Sequence, residues 1–111
     1  MPQYQFVFKE TPTGKAKHDT HLERRATAVA KAGVLDVHLT HPVVETLIGG
    51  DWYYTWIVDA PDIQTLWAFI QECIRHPNVE LSSGPTPVFT EEELSRIQSL
   101  SAEMRGAYPD K

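Results

Sequence analysis

Residues 51–59, DWYYTWIVD, carry large rings at positions 52, 53, 54 and 56, and an extended backbone sorts them most simply. Successive side chains of a strand point to opposite faces, so Trp52, Tyr54, Trp56 and Val58 share one side and Tyr53, Thr55, Ile57 and Asp59 the other. The β-branched and aromatic content agrees with a strand, and Gly49 and Gly50 mark a turn ahead of it. Three rings and a valine on one face must be covered, so the remainder of the chain has to supply a layer that packs on them.

Two other segments alternate in the same way. In residues 3–9, QYQFVFK, Tyr4, Phe6 and Phe8 oppose Gln5, Val7 and Lys9. In VLDVHLTHP, Leu35, Val37 and Leu39 oppose Asp36, His38 and Thr40 until Pro42 ends regular pairing. VELSSG, from Val79, reads as a short fourth strand, and PTPVF is too rich in proline for a central one. Neighbouring strands must show one parity per face, so the covered face collects the even-numbered residues of the first and third strands with Leu35, Val37, Leu39, Val79 and Leu81.

Helices are expected between these strands. ETPTGKAKHD reads as a polar connecting loop, after which Thr20 and Glu23 have the spacing of a capping box. Leu22, Ala26, Val29 and Ala30 then recur at helical spacing up to Gly33, and Ala26 and Ala30 are expected to sit against the rings of the sheet. Residues 60–77 form a second helix with Ile63, Leu66, Trp67, Ile70 and Ile74 on one stripe, Pro61 in its first turn and Pro77 as its stop. A second capping box, Thr90 to Glu93, opens a C-terminal helix with Leu94, Ile97, Leu100 and Met104, and RGAYPDK is expected to fray. The order is strand, helix, strand, strand, helix, strand and an added helix. That is an α+β, ferredoxin-like βαββαβ pattern with a four-stranded antiparallel sheet and two helices on one face.

At 111 residues the chain is read as one domain, 1–111, with its core at about 3–83 and an extension at 84–111. A net charge of −5 opposes a phosphate backbone, so nucleic acid is not an expected partner. No apolar run nears the roughly 20 residues of a membrane span, and the first residues do not read as a secretory signal, which makes the cytoplasm the default location. Cys73 is alone, so no intramolecular disulfide forms, and it reads as a buried helix residue.

The face opposite the rings carries the candidate site. It brings Gln5, Val7, Lys9, Asp36, His38, Thr40, Tyr53, Thr55, Ile57 and Glu80 to one side. A carboxylate near an imidazole can fix its tautomer and raise its pKa, which makes His38, with Asp36 two positions away, the candidate general base. Lys9, Asp36, His38, Tyr53 and Thr55 are the candidate ligand contacts, with Tyr53 or Lys9 able to stabilise developing negative charge. Side chains two apart in a strand run parallel, so a direct Asp36–His38 bond is not assured. HDTH and HLTH both have H-x-x-H spacing, yet neither places a third ligand, and no metal is expected. His76 complements a helix C-terminus. Phosphate-binding glycine loops and the G-x-S-x-G elbow are absent from the sequence, so no cofactor is anchored. One ring on the open face, beside Asp36 and Glu80, is a poor platform for stacking RNA bases.

The layout resembles the dimeric α/β-barrel superfamily, which includes cofactor-independent monooxygenases, muconolactone isomerase-like and heme-degrading enzymes and many uncharacterised proteins. The nearer part is GGDWYYTWIVDAPDIQTLWAFIQECIRHPNVELSSGPTPVFTEEEL, where a strand passes through an acidic turn into a Trp-bearing helix and ends in a PV segment followed by acids. The resemblance implies a homodimer whose paired sheets enclose a cavity. Two functions follow as expectations: non-catalytic binding of a small organic molecule or another protein, and cofactor-independent isomerisation or oxygenation with His38 as base.

Overall fold

The alternation of the first and fourth strands sets the core. In the computed structural model, which describes residues 1–107, β1 (Gln3–Glu10) lies antiparallel to β4 (Asp51–Asp59) with Tyr4 opposite Val58, Phe6 opposite Trp56 and Phe8 opposite Tyr54. Phe6 stacks on Trp56 at 5.7 Å between ring centres, and Phe8 meets both rings edge-on. Phe6, Phe8, Tyr54, Trp56 and Val58 are all buried, as parity requires.

Among the described residues the chain is an α+β fold with a five-stranded antiparallel sheet and four α-helices. After β1 come α1 (Pro12–Ala16), a single 3₁₀ turn (His18–Thr20) and α2 (His21–Val34). Then follow β2 (His38–Leu39), β3 (Val44–Ile48), β4, α3 (Ile63–Arg75), β5 (Val79–Val88) and α4 (Glu91–Ala107). β5 pairs with β1, β1 with β4, and β2 and β3 share the far edge of β4, meeting its end and its beginning respectively.

The strand count therefore differs from the four expected, and the reason lies at Asp36 and Pro42. Asp36 adopts a left-handed backbone with φ 60°, a conformation that short polar side chains tolerate better than most. The chain turns there, Leu35 caps α2 with its side chain exposed, and only His38 and Leu39 remain to pair. Beyond Pro42 the chain rejoins the same edge as β3 and reaches β4 through a two-residue turn at Gly49 and Gly50, both with positive φ.

Helix boundaries depart from expectation at the first connection. Thr11 Oγ1 accepts from the Gly14 N–H and Pro12 sits in the first turn, so part of the anticipated loop is helical. Thr20 makes no capping bond to α2; its hydroxyl donates to the Lys17 carbonyl and closes the 3₁₀ turn. α3 begins after Pro61, with Asp62 as N-cap accepting from the Thr65 N–H at 2.7 Å. The Thr90–Glu93 box forms in both directions, at 3.0 and 3.2 Å. These two carboxyls are held below their ordinary range by the backbone N–H groups they accept from.

α3 buries Leu66, Phe69 and Ile70 on the sheet, leaving Trp67 and Ile74 at the surface. α2 is rotated from the expected face: Ala28 and Ala32 approach the core, whereas Leu22, Ala26, Val29 and Ala30 are exposed. α4 has no buried residue, and Leu94, Ile97, Leu100 and Met104 form an uncovered stripe. A radius of gyration of 17.4 Å, against about 13 Å for a compact chain of 100 residues, reflects that unpacked helix. α4 continues to Ala107; the rest of the anticipated frayed segment lies outside the described residues.

β5 extends past Gly84 to Val88 because it is an edge strand, where proline is tolerated. The pairing with β1 shifts between Gln5 and Phe8, and Gly84 sits at that irregularity with φ 88°. A Cβ there would lie 2.5 Å from the Gln5 carbonyl oxygen and 2.9 Å from Phe6 Cα, both backbone atoms that cannot step aside. Gly84→Ala is therefore expected to lower stability by about 2 kcal/mol or more, read as a lower urea midpoint; a midpoint equal to the parent's would contradict this packing.

Candidate functional site

β1 does not stop at Phe8. The next residue of the same parity is Glu10, so the alternation that buries Phe6 and Phe8 also carries a carboxylate onto the covered face. Glu10 is 5% exposed. Burying a charge is costly unless donors surround it, and two do: the Tyr54 hydroxyl donates to Oε2 at 2.8 Å and His18 Nδ1 lies 2.7 Å from the same oxygen. A carboxylate only accepts, so Nδ1 carries the proton.

The 3₁₀ turn and the start of α2 hold this arrangement. The His18 ring is stacked between His21, at 4.2 Å, and Trp52, at 5.2 Å. His21 Nδ1 lies 2.6 Å from the His18 carbonyl, and its Nε2 lies 3.4 Å from Glu45, which also takes a 2.6 Å bond from Arg25. Burial, then the bond to Glu10 and the nearby negative charges of Glu10 and Glu45, push the Tyr54 phenol far above its ordinary value. Tyr54 is therefore a fixed donor at neutral pH.

Above these residues the helices leave space. Small Ala28 and the long polar Arg24 and Arg25 face inward from α2, so the rings of β1 and β4 are not fully roofed. The result is a cleft of about 460 Å³ floored by Phe8, Tyr54 and Trp56, walled by α2, by Phe69, Glu72 and Cys73 of α3 and by His76 just after it, and ending at Glu10 and Asn78. Burial pushes the Cys73 thiol up to about 12, so it faces the cleft protonated.

That end is built by close approach. A Cβ on Gly14 would lie 2.0 Å from the Asn78 carbonyl oxygen and 3.0 Å from Glu10 Cγ, so only glycine lets α1 seat against both. Thr11 ties the same corner down: its N–H donates to the Asn78 carbonyl and its hydroxyl to that of Pro77. Arg24 Nη2 reaches back to the Lys17 carbonyl at 3.0 Å and to that of Gly14 at 3.5 Å.

The residues singled out from sequence lie elsewhere and fall into two groups. Lys9 is directly opposite Tyr53, with Thr55 next along β4, on the face away from α2 and α3; Lys9 also lies 3.7 Å from Asp51. Asp36 and His38 do bond, Oδ1 to Nε2 at 2.7 Å, because the left-handed turn at Asp36 swings its carboxylate round, and both side chains are more than half exposed. His38 pairs with Asp59, six residues from Tyr53, which is about 20 Å along a strand. None of the five lines the cleft. Among the described residues no cluster of histidine, cysteine and acids is arranged to hold a metal, and no helix is long and apolar enough to cross a membrane.

Sequence reasoning passed over Glu10 by assigning it to the loop. Parity was the available signal, since an acid at the next even position of an aromatic strand face has to be paired within the core.

Tyr54→Phe should remove one of the two donors to Glu10 and cost about 2 kcal/mol, measured by urea unfolding. The pH dependence follows from the raised phenol. Its contribution is complete below the ordinary tyrosine range near 10 and is lost as pH rises through the higher folded value. An ultraviolet titration should accordingly show a late ionisation step that Tyr54→Phe removes.

Compared with known family models, with characterised proteins and with solved structures, the chain matches none.

Proposed function

We propose that the protein binds a small organic molecule in the cleft between α2, α3 and the aromatic face of the sheet, as a homodimer of the dimeric α/β-barrel type. The cleft itself carries this reading. Its volume of about 460 Å³ falls within the roughly 300–1,000 Å³ of small-ligand sites. It also combines an aromatic floor with a few fixed polar groups, the composition such sites share.

Strand order supports the ferredoxin-like part of the proposal. With β2 and β3 taken as one strand broken at Pro42, the order across the sheet is β5, β1, β4 and that broken strand, with α2 and α3 on a single face. Two uncovered apolar surfaces support the dimer. Val7, Tyr53 and Ile57 lie on the open face with the exposed Val44 and Ile48 beside them, and α4 offers its stripe. A second copy that covers these surfaces would bury them. Sedimentation should find a dimer at micromolar concentration, and Val44→Asp with Ile48→Asp should give a folded monomer; a monomeric parent chain would overturn the dimer.

Binding in the cleft is tested by filling it. Ala28→Trp places an indole into the space over Trp56. Small aromatic fragments titrated into the parent should shift the resonances of Phe8, Trp56 and Phe69, and the same fragments should shift nothing in Ala28→Trp. Shifts confined to Lys9, Tyr53 and Thr55 would move the site to the open face. The Asp36–His38 bond favours a second reading, an isomerase- or monooxygenase-like enzyme with His38 as general base. Turnover that disappears in His38→Ala would establish it; the cleft reading expects fragment binding unchanged by that substitution.

A further inference from the structure

The two edges of the sheet are guarded differently. β5 closes one side with Gly84, Pro85 and Pro87 and a shifted register against β1, and prolines and irregularities of this kind keep an edge strand from pairing further. β3, on the far side, has neither. Its sequence is VETLI, and it pairs with β4 in one unbroken register. Its one charge, Glu45, is already engaged by Arg25 at 2.6 Å. Val44, Leu47 and Ile48 are each more than half exposed. An apolar edge without lysine, proline or bulge is a template for another strand.

Backbone alternation identifies which groups are open. Gly49 and Gly50, both with positive φ, make a two-residue turn, so the flanking pair Ile48–Asp51 exchanges backbone bonds, as do Thr46–Tyr53 and Val44–Thr55 by alternation. The N–H and C=O groups of Glu45 and Leu47 therefore point away from β4. Among the described residues β3 makes no backbone bond outside the sheet. Two open residues spaced in this way are self-complementary. An antiparallel second copy centred on Thr46 sets Glu45 against the partner's Leu47 and Leu47 against the partner's Glu45, which satisfies all the open groups. In that register Val44 meets the partner's Ile48 and Thr46 meets the partner's Thr46, apolar on apolar and hydroxyl on hydroxyl. A slide of two residues one way would oppose Glu45 to the partner's Glu45, a like-charge pair; a slide the other way would oppose it to the turn.

A five-residue ladder is small beside the 1,200 Å² or so that a stable interface buries, and α2 adds to it. Arg24, Thr27 and Lys31 of α2 line the cleft shared with α3. Leu22, Ala26 and Val29 lie on the opposite flank of the helix, toward the edge where Arg25 meets Glu45, and all three are exposed. A twofold axis at Thr46 brings this flank, together with Leu47, toward its own copy.

We propose that two copies of the chain join β3 to β3 in the register centred on Thr46, forming one continuous sheet with the apolar flanks of α2 meeting above it. This takes the homodimer from the preceding reading and names the surface where its copies meet.

Cysteine cross-linking of the full chain tests the register. Thr46 and the partner's Thr46 form a non-hydrogen-bonded pair with Cα atoms about 4.5 Å apart, within reach of a disulfide. Under mild oxidation Thr46→Cys is expected to give a disulfide-linked dimer about tenfold faster, or more, than Val44→Cys or Ile48→Cys alone, and a mixture of these last two is expected to link one to the other. The parent, whose only cysteine is Cys73, is the control. Leu47→Pro removes an outward N–H that β4 does not use, so it should keep the parent's far-ultraviolet spectrum and sediment as a monomer where the parent is a dimer; should it fail to fold, the cross-linking alone decides. Equal cross-linking at the three positions, or a dimeric Leu47→Pro, would overturn the β3 interface and leave the homodimer standing on another surface. A monomeric parent would overturn both and leave this edge to a strand of a different chain.

Discussion

The pairing of Glu10 with Tyr54 and His18 is the constraint on which most of this structure depends. Strand alternation delivers the acid to the interior whether or not it is welcome there, and the chain around it is organised to meet its needs. The 3₁₀ turn presents His18, Trp52 and His21 hold that imidazole between them, and Tyr54 ends its position on β4 with a hydroxyl where phenylalanine would fill the same space. A core acid of this kind is seldom the most stable choice, since an apolar residue of similar volume avoids the desolvation cost. Its position beside a cleft, with one oxygen unpaired among the described residues, is what directs attention to binding.

The cleft exists because α2 is packed with its less apolar side inward. Helices usually turn their larger aliphatic residues to the core, but here Arg24, Arg25 and His21 have partners below them in the Lys17 carbonyl and Glu45, and these fix the rotation. Leu22 and Val29 are thereby left outside, and only alanines stand over the rings. Polar contacts at one end of the helix set how much of the aromatic face stays open at its middle.

Much of the architecture was legible in the sequence. The parity of Phe6, Phe8, Tyr54, Trp56 and Val58, the stripe of Leu66 and Ile70, and the Thr90–Glu93 box all translate directly into structure, because each depends on neighbours close in sequence or on a face buried as a whole. The edge strand was not legible as built. A left-handed Asp36 is a local conformational choice made by the turn it sits in, and the restart of pairing at Val44 depends on the edge that β4 offers. The side of α2 that packs was misread for a similar reason: helical spacing finds a stripe but does not rank it against ion pairs made with Glu45, twenty residues beyond Arg25. The grouping of Lys9, Tyr53 and Thr55 corresponds to the predicted face, whereas the Asp36–His38 contact comes from the left-handed turn and its distance from that group from register, neither of which the sequence states. The cleft was missed because its key residue was assigned to a loop.

The protonated state of Cys73 bears on what the cleft can admit. A thiolate in that wall would attack aldehydes, quinones or strained esters that entered the cleft. Held as a thiol by its surroundings, the sulfur is instead a soft, polarizable contact. The cleft wall in this respect offers an electrophile no ready sulfur nucleophile.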